Sequence, residues 1–257
     1  MKCTLKTLLA ITRNIIFIAT LGCITTAQAE EVKAAVAANF TAAIKKLTPL
    51  YEQKSGNKLT VSFGATGQFY AQISNGAPFD VFLAADDATP KKLIGEGKAV
   101  SSSYFVYARG RLALWSGTSG YVDDAGTVLK SDQFNKIAIA NPKTAPYGQA
   151  AIETLTALKL LDQLQPKFVT GENIAQTQQF IASGNVPLGF IALAQVKALP
   201  AADRGSYWVV PHEYHQPIDQ SAVLLKSEHA MAAESFLAFL KSPEAIAIIR
   251  DLGYEVP

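Results

Sequence analysis

Two short polar turns, near residues 39 and 66, carry the side chains best suited to chemistry. The segments Ala37-Ala38-Asn39-Phe40 and Gly64-Ala65-Thr66-Gly67-Gln68 each follow an apolar, strand-like run and precede a helical pattern of apolar residues. A turn that leads from a strand into a helix exposes backbone N–H groups at the positive end of the helix dipole. With an amide and a hydroxyl but no lysine or arginine, the two turns suit an anion held by hydrogen bonds and dipoles. Taken one at a time, each turn is also explained by ordinary helix capping.

The second half of the chain offers two more turns of the same kind. They are Asn141-Pro142-Lys143-Thr144-Ala145-Pro146-Tyr147-Gly148-Gln149 and Gly171-Glu172-Asn173-Ile174-Ala175-Gln176. If all four turns face one point, a phenol, an amide, a hydroxyl and several N–H groups surround it. Four such coincidences favour an anion site over capping alone.

Strand-like and helical patterns alternate along the chain, which predicts an α/β fold with mostly parallel sheets. A first series begins with Val32–Val36, a break falls around 107–116, and a second series follows. An extended stretch at 218–226 and two final helices return to the first series. We therefore expect two α/β lobes joined by two crossings, with a ligand cleft between them. Lobe I comprises residues 30–108 and 222–257, and lobe II comprises 109–221, including the hinge crossings.

The first 29 residues have the features of a secretory signal peptide. Lys2, Lys6 and Arg13 form a basic region, Ile15–Ile24 is apolar, and Ala27-Gln28-Ala29 fits a cleavage site after Ala29. This predicts a periplasmic protein. The alternative, a lipoprotein attached through Cys23, places the usual leucine one position out of register.

Charge and cysteine content exclude several function classes. The formal net charge of +2 becomes −1 without the three basic residues of the signal peptide, so nothing favours nucleic acid as a partner. Cys3 and Cys23 both lie in the signal peptide, so the remaining chain has no disulfide, thiolate metal site or cysteine nucleophile.

Other motifs carry little chemistry. His212 and His215 are three residues apart in a predicted loop without a clear third ligand, which argues against a metal site. Asp80, Asp86 and Asp87 are explained by a strand end and a helix cap. With no nucleophile elbow, phosphate-binding loop or dinucleotide motif, the sequence predicts no catalytic residue, no metal cation and no cofactor.

The turns, taken together with further motifs, resemble the periplasmic molybdate-binding proteins, the ModA-type components of ABC transporters. The additional motifs are Gly76-Ala77-Pro78-Phe79-Asp80-Val81-Phe82-Leu83-Ala84-Ala85-Asp86 and Pro187-Leu188-Gly189-Phe190. The resemblance covers essentially all of 30–257. It implies a type II periplasmic-binding-protein fold that closes like a hinge over molybdate or tungstate, and an ABC permease as partner of a monomeric receptor.

The resemblance also assigns positions in the site. It implies ligand contacts from Asn39, Thr66, Tyr147 and the N–H of Ile174, with Ala38 and Gly148 as additional contacts. Ala38 replaces a hydroxyl residue found in some relatives. Ala192 stands where some relatives place a tyrosine, so that here the phenol is expected to come from Tyr147.

A donor-only site suits a fully ionised dianion, because a nearby carboxylate would repel its oxygens. Glu172 is the nearest candidate carboxylate, and we expect it to point away. Two alternatives remain at this point. One is a receptor for another oxyanion such as sulfate, chromate or phosphate, and the other is a periplasmic enzyme acting on a small anion.

Overall fold

The structure is a computed structural model and describes residues 29–227 and 229–257. The predicted signal peptide, apart from Ala29, and its alternative lipidation site Cys23 lie outside the described residues. Within the described residues, no helix is both long and apolar enough to cross a membrane.

In the part of the chain that the structure describes, ten strands form two five-stranded sheets. The two sheets agree with the predicted pair of α/β lobes. The strands are β1 Glu31–Ala37, β2 Lys58–Gly64, β3 Val81–Leu83, β4 Phe105–Gly110, β5 Leu112–Ser116, β6 Ile137–Ala140, β7 Phe168–Gly171, β8 Gly189–Ala192, β9 Ser206–Val209 and β10 Ile218–Leu224. The first sheet has the order β2-β1-β3-β10-β4 and the second has the order β7-β6-β8-β5-β9. In each sheet three neighbouring strands run parallel, while β10 and β5 run antiparallel to their neighbours. Half of the strand pairings are antiparallel, so the expectation of mostly parallel sheets is wrong, whereas the predicted α/β fold class is confirmed.

Helices cover both sheets. They are α1 Thr41–Ser55, α2 Thr66–Ser74, α3 Ala88–Gly95, α4 Pro146–Ala157, α5 Leu161–Leu164, α6 Ile174–Ala182, α7 Leu193–Ala198, α8 Ala230–Leu240 and α9 Pro243–Asp251. In α1 the buried residues Ile44, Leu47 and Tyr51 recur at helical spacing on one face. The helix ends at Gly56, whose φ of 76° is a left-handed conformation that costs glycine little.

The chain crosses between the lobes twice. β4 leads directly into β5, and β9 leads through residues 210–217 into β10. Because β4 and β10 both belong to the first sheet, the lobe boundaries predicted at 108/109 and 221/222 fall inside these two strands. The first sheet therefore includes the chain up to Gly110 in β4 and again from Ile218 in β10.

The order Thr89-Pro90 is typical of an N-cap followed by the first helical position, and it predicts a helix that starts at Pro90. This prediction is wrong by two residues, because α3 begins at Ala88 after Asp87. The carboxylate of Asp86 instead accepts hydrogen bonds from the N–H (2.7 Å) and hydroxyl (3.0 Å) of Thr89. An acidic side chain just before the helix satisfies a first-turn donor in place of the threonine.

Candidate functional site

The carboxyl ends of strands from both lobes meet in one buried cluster. Ala38, Ala65 and Ala85 from lobe I share this cluster with Tyr147 and Ile174 from lobe II. The four residues predicted to bind the ligand are almost fully buried, with exposures of 2% for Asn39, 1% for Thr66, 2% for Tyr147 and 3% for Ile174. The structure therefore brings the four predicted turns together between the lobes.

The first turn is a short 3-10 helix, Ala38–Phe40, that runs into α1. Its first two N–H groups, of Ala38 and Asn39, come before any helical acceptor and are free to bind a ligand. The side chain of Asn39, by contrast, is hydrogen-bonded within the protein. Its Nδ2 donates to Gln220 Oε1 (2.8 Å) and to Tyr254 Oη (3.1 Å), which uses both amide hydrogens.

The second turn places Thr66 at the first position of α2. Thr66 Oγ1 accepts a hydrogen bond from the N–H of Ala85 at 3.0 Å. The hydroxyl oxygen is thereby held in place, and its own hydrogen remains to be donated. Gln68 Oε1 accepts from the N–H of Ala65 (3.2 Å) and so orders the turn from within.

The third turn places Tyr147 immediately after Pro146, the first residue of α4. The helix begins at Pro146, since proline fits the first helical position. The phenol of Tyr147 accepts a hydrogen bond from Gln220 Nε2 at 3.1 Å. The N–H of Gly148, expected as an additional contact, donates to Ala145 at 2.9 Å and is used within the helix.

The fourth turn opens α6 with Ile174. Asn173 caps this helix, because its Oδ1 accepts from the N–H groups of Ala175 (3.0 Å) and Gln176 (3.1 Å). The N–H of Thr177 donates to the Asn173 carbonyl at 3.1 Å. Among the first-turn donors of α6 in the described chain, that leaves the N–H of Ile174 for a ligand.

Buried phenols and carboxamides lie behind these turns, together with the carboxylate of Asp86, whose pKa is raised by burial. Burial raises the pKa of Tyr107, Tyr147 and Tyr254 well above that of a free phenol, so all three stay protonated at neutral pH. Glu172 is exposed, and its carboxylate accepts from Gln68 Nε2 (3.2 Å) at the rim of the cleft. The buried surfaces of the turns thus offer hydrogen-bond donors and helix N-termini.

Direct contacts join the lobes around the site. The N–H of Gly67 in lobe I donates to the carbonyl of Thr144 in lobe II at 2.9 Å, next to the Gln68–Glu172 hydrogen bond. A cavity of about 300 Å³ lies beside this contact, lined among others by Gly67, Ala85 and Thr144. The arrangement is that of two lobes closed upon each other.

The two histidines of the sequence pair have separate partners. His212 Nε2 lies 3.2 Å from Glu255, whereas His215 Nδ1 hydrogen-bonds the carbonyl of Gln216 at 2.7 Å. No group of three or more histidine, cysteine, aspartate or glutamate side chains that could hold a metal ion occurs in residues 29–227 and 229–257.

Sequence reasoning missed Gln220 and the two phenols, Tyr107 and Tyr254, that stand behind Asn39. Gln220 is fully buried in β10, between the polar residues Asp219 and Ser221. A polar residue inside a buried strand needs partners, and this is the one sequence signal that marks Gln220.

The fold and the site together define a two-lobed solute-binding protein whose lobes close over a small cleft rich in hydrogen-bond donors. Residues 32–255 match the family described as bacterial extracellular solute-binding protein. The chain is 52% identical over 229 residues to the molybdate-binding protein ModA of Azotobacter vinelandii, covering 89% of this chain and 91% of that protein. It is 51% identical to ModA of Rhodobacter capsulatus, with 89% of each chain covered.

A solved structure agrees with these sequence relationships. The periplasmic molybdate-binding protein of Azotobacter vinelandii superposes with a TM-score of 0.84 over 88% of this chain and 99% of that one, at 41% identity. The chain belongs to the bacterial extracellular solute-binding protein family, in the branch that contains these ModA proteins. The resemblance found from the motifs is confirmed.

Proposed function

We propose that this chain captures molybdate or tungstate in the periplasm and delivers it to the permease of an ABC transporter. The chain is a binding component and not an enzyme, as its half-identical relatives are ModA proteins. The observation that carries the choice of ligand class is the convergence of four buried helix-opening turns from two lobes. The receptor acts as a monomer after removal of its signal peptide at Ala29, without a cofactor or metal cation.

The ligand contacts follow from which donors remain free. We assign the N–H groups of Ala38, Asn39, Thr66, Tyr147 and Ile174, together with the hydroxyls of Thr66 and Tyr147. Gly148 is assigned a packing role, because a Cβ there would lie 2.2 Å from the Ala140 carbonyl oxygen. Helix N-termini and neutral donors stabilise a dianion without a counter-charge, and they select by size and geometry.

The assigned contacts are all hydrogen-bond donors, which favours molybdate and tungstate over phosphate. Molybdate and tungstate carry no proton at neutral pH, whereas phosphate retains one that needs an acceptor. Sulfate has the same charge and shape as molybdate but is smaller, so its rejection depends on the size of the closed cleft.

A thermal-shift series tests this function. At about one hundred times its dissociation constant, a ligand adds roughly 2.7 kcal/mol to the free energy of unfolding. Molybdate and tungstate should therefore raise the melting temperature markedly at concentrations where sulfate, chromate and phosphate have little effect. An equal rise with sulfate would show that the receptor serves another tetrahedral oxyanion.

A further inference from the structure

Gln220 lies at the centre of a buried polar group that joins the two lobes. This Gln220 cluster consists of Asn39, Tyr107, Tyr147, Gln220 and Tyr254. Gln220 is 0% exposed and sits in β10, where the pairing with β4 shifts register between Gln220 and Ser221. Such a bulge re-aims side chains near functional sites.

The hydrogen bonds of Gln220 define the direction of its carboxamide. Oε1 accepts from Asn39 Nδ2 at 2.8 Å and from Tyr107 Oη at 3.1 Å. Nε2 donates to Tyr147 Oη at 3.1 Å. Turning the amide over would set its NH2 group against the NH2 group of Asn39, so only one orientation satisfies both sides.

The rest of the cluster fixes Asn39. Its second Nδ2 hydrogen goes to Tyr254 Oη at 3.1 Å, and that phenol donates in turn to the Asn39 carbonyl at 2.9 Å. Tyr254 therefore holds both the side chain and the backbone carbonyl of Asn39, while Gln220 holds its side chain. This fixes the direction in which the N–H of Asn39 points.

The orientation of Gln220 determines what Tyr147 can do. Because Tyr147 Oη accepts from Nε2, its own hydrogen must be given to a different acceptor, and it makes no second hydrogen bond within the described chain. Thr66 follows the same logic, since its hydroxyl accepts from the N–H of Ala85. Each of these two hydroxyls thus accepts a hydrogen bond from a protein N–H group, and its own hydrogen remains available for the ligand.

Gly110 makes room for this arrangement. A Cβ at Gly110 would lie 2.0 Å from Tyr147 Oη and 2.7 Å from Gln220 Nε2. The bare backbone at the end of β4 therefore allows a phenol from lobe II to reach a carboxamide on the first sheet.

We propose that Gln220 is a positioning residue for the anion site: it fixes the Tyr147 hydroxyl as a hydrogen donor, holds Asn39, and thereby sets the preference for anions that carry no proton. This inference rests on the proposed function. A hydroxyl whose acceptor position is filled by Gln220 cannot receive the proton of a hydrogen phosphate ion. Gln220 itself needs no contact with the ligand.

The test uses the full mature chain and the variants Gln220→Met and Gln220→Glu. Methionine removes both the donor and the acceptor at similar size, whereas glutamate turns the donor to Tyr147 into an acceptor that attracts the phenol hydrogen. Calorimetric titration should show molybdate affinity about tenfold weaker for Gln220→Met and at least a hundredfold weaker for Gln220→Glu. The ratio of the dissociation constants for hydrogen phosphate and molybdate should fall at least tenfold in both variants.

A double-mutant cycle with Tyr147→Phe separates positioning from general destabilisation. In the Gln220→Met background, Tyr147→Phe should weaken molybdate binding less than threefold further, since the phenol is no longer oriented. Gln165→Met, an exposed substitution in lobe II, is the matched control and should bind normally. Circular dichroism confirms that each variant is folded before titration.

The outcomes distinguish the role of Gln220 from the proposed function. A folded Gln220→Met protein with unchanged affinity and unchanged selectivity, alongside normal binding by the wild type, would overturn the role of Gln220 alone. Additive effects in the cycle would do the same. Failure of the wild type to bind molybdate would overturn the proposed function and this inference with it.

Discussion

At the scale of single residues, the proposed site offers donors whose other hydrogen-bonding positions are already filled. Thr66, Tyr147 and Asn39 each accept from, or donate to, a protein group behind the cleft. Because these donors are oriented before the ligand arrives, less conformational entropy is lost on binding.

Thr66→Val should weaken molybdate binding by about ten- to a hundredfold. It removes one hydrogen bond to a charged acceptor, worth roughly 1.5–3 kcal/mol. It also leaves the N–H of Ala85 without its partner, so the free energy of unfolding without ligand should fall by about 1–3 kcal/mol. Titration and urea unfolding measure the two effects. Thr66→Ser keeps the hydroxyl and should change both only slightly, and a valine variant with normal affinity would remove Thr66 from the site.

Tyr147→Phe should weaken molybdate binding to a similar extent, because the oriented phenol hydrogen is lost. Tyr121→Phe is the matched control, since that phenol hydrogen-bonds the Gln133 carbonyl at 3.0 Å in lobe II. Ala192→Ser is expected to bind almost normally. If Tyr147→Phe binds like the wild type, Tyr147 contributes only its N–H.

At the scale of helices and strands, the local patterns could be predicted and the long-range pairings could not. Apolar runs such as Val32–Val36 identified the buried strands, and Ser242 with Pro243 marked the start of α9, where Ser242 Oγ accepts from the N–H of Ala245. β4 and β9 were missed: β4 is interrupted by Arg109, and its partner β10 follows more than a hundred residues later. The Gln220 cluster joins residues 39, 107, 147, 220 and 254, so no local pattern contains it.

Gly67→Ala should prevent full closure of the lobes, because α2 lies close to the turn that precedes α4. A Cβ at Gly67 would lie 3.0 Å from Thr144 Cα and 3.2 Å from its carbonyl oxygen, and both are backbone atoms. Backbone cannot move as a side-chain tip can, so the lobes should stay apart. Stopped-flow measurements should show molybdate dissociating at least tenfold faster, with the melting temperature of the ligand-free protein nearly unchanged. Gly95→Ala, where no atom lies within 4 Å, is the control, and an unchanged dissociation rate for Gly67→Ala would mean that this contact plays no part in closure.

At the scale of the whole molecule, we expect two lobes joined by two crossings to act as a hinge. The proposed ligand donors come from both lobes, so binding should favour the closed arrangement by its differential affinity. Small-angle scattering should show a smaller radius of gyration at saturating molybdate than without it. No compaction would mean that the cleft is rigid or that the anion contacts one lobe only.

The free energy of unfolding should also depend on pH, because His215 lies in the second crossing between the lobes. Burial lowers the pKa of His215, which lies just before β10. The unfolded state therefore binds the proton more tightly, and stability rises with pH through the range near the ordinary histidine value of about 6.5. The free energy of unfolding should decrease from pH 7.5 to pH 5.5, and His215→Leu should flatten this dependence. A His215→Leu protein with the wild-type slope would assign the pH dependence to other groups.

The central claim is that neutral donors on four turns select a large, fully ionised oxyanion. Isothermal titration calorimetry of the mature protein with molybdate, and then with sulfate, tests it most directly. We expect one molybdate per chain, bound at least a hundredfold more tightly than sulfate. Sulfate binding as tight as molybdate binding, or no binding of molybdate, would contradict the account.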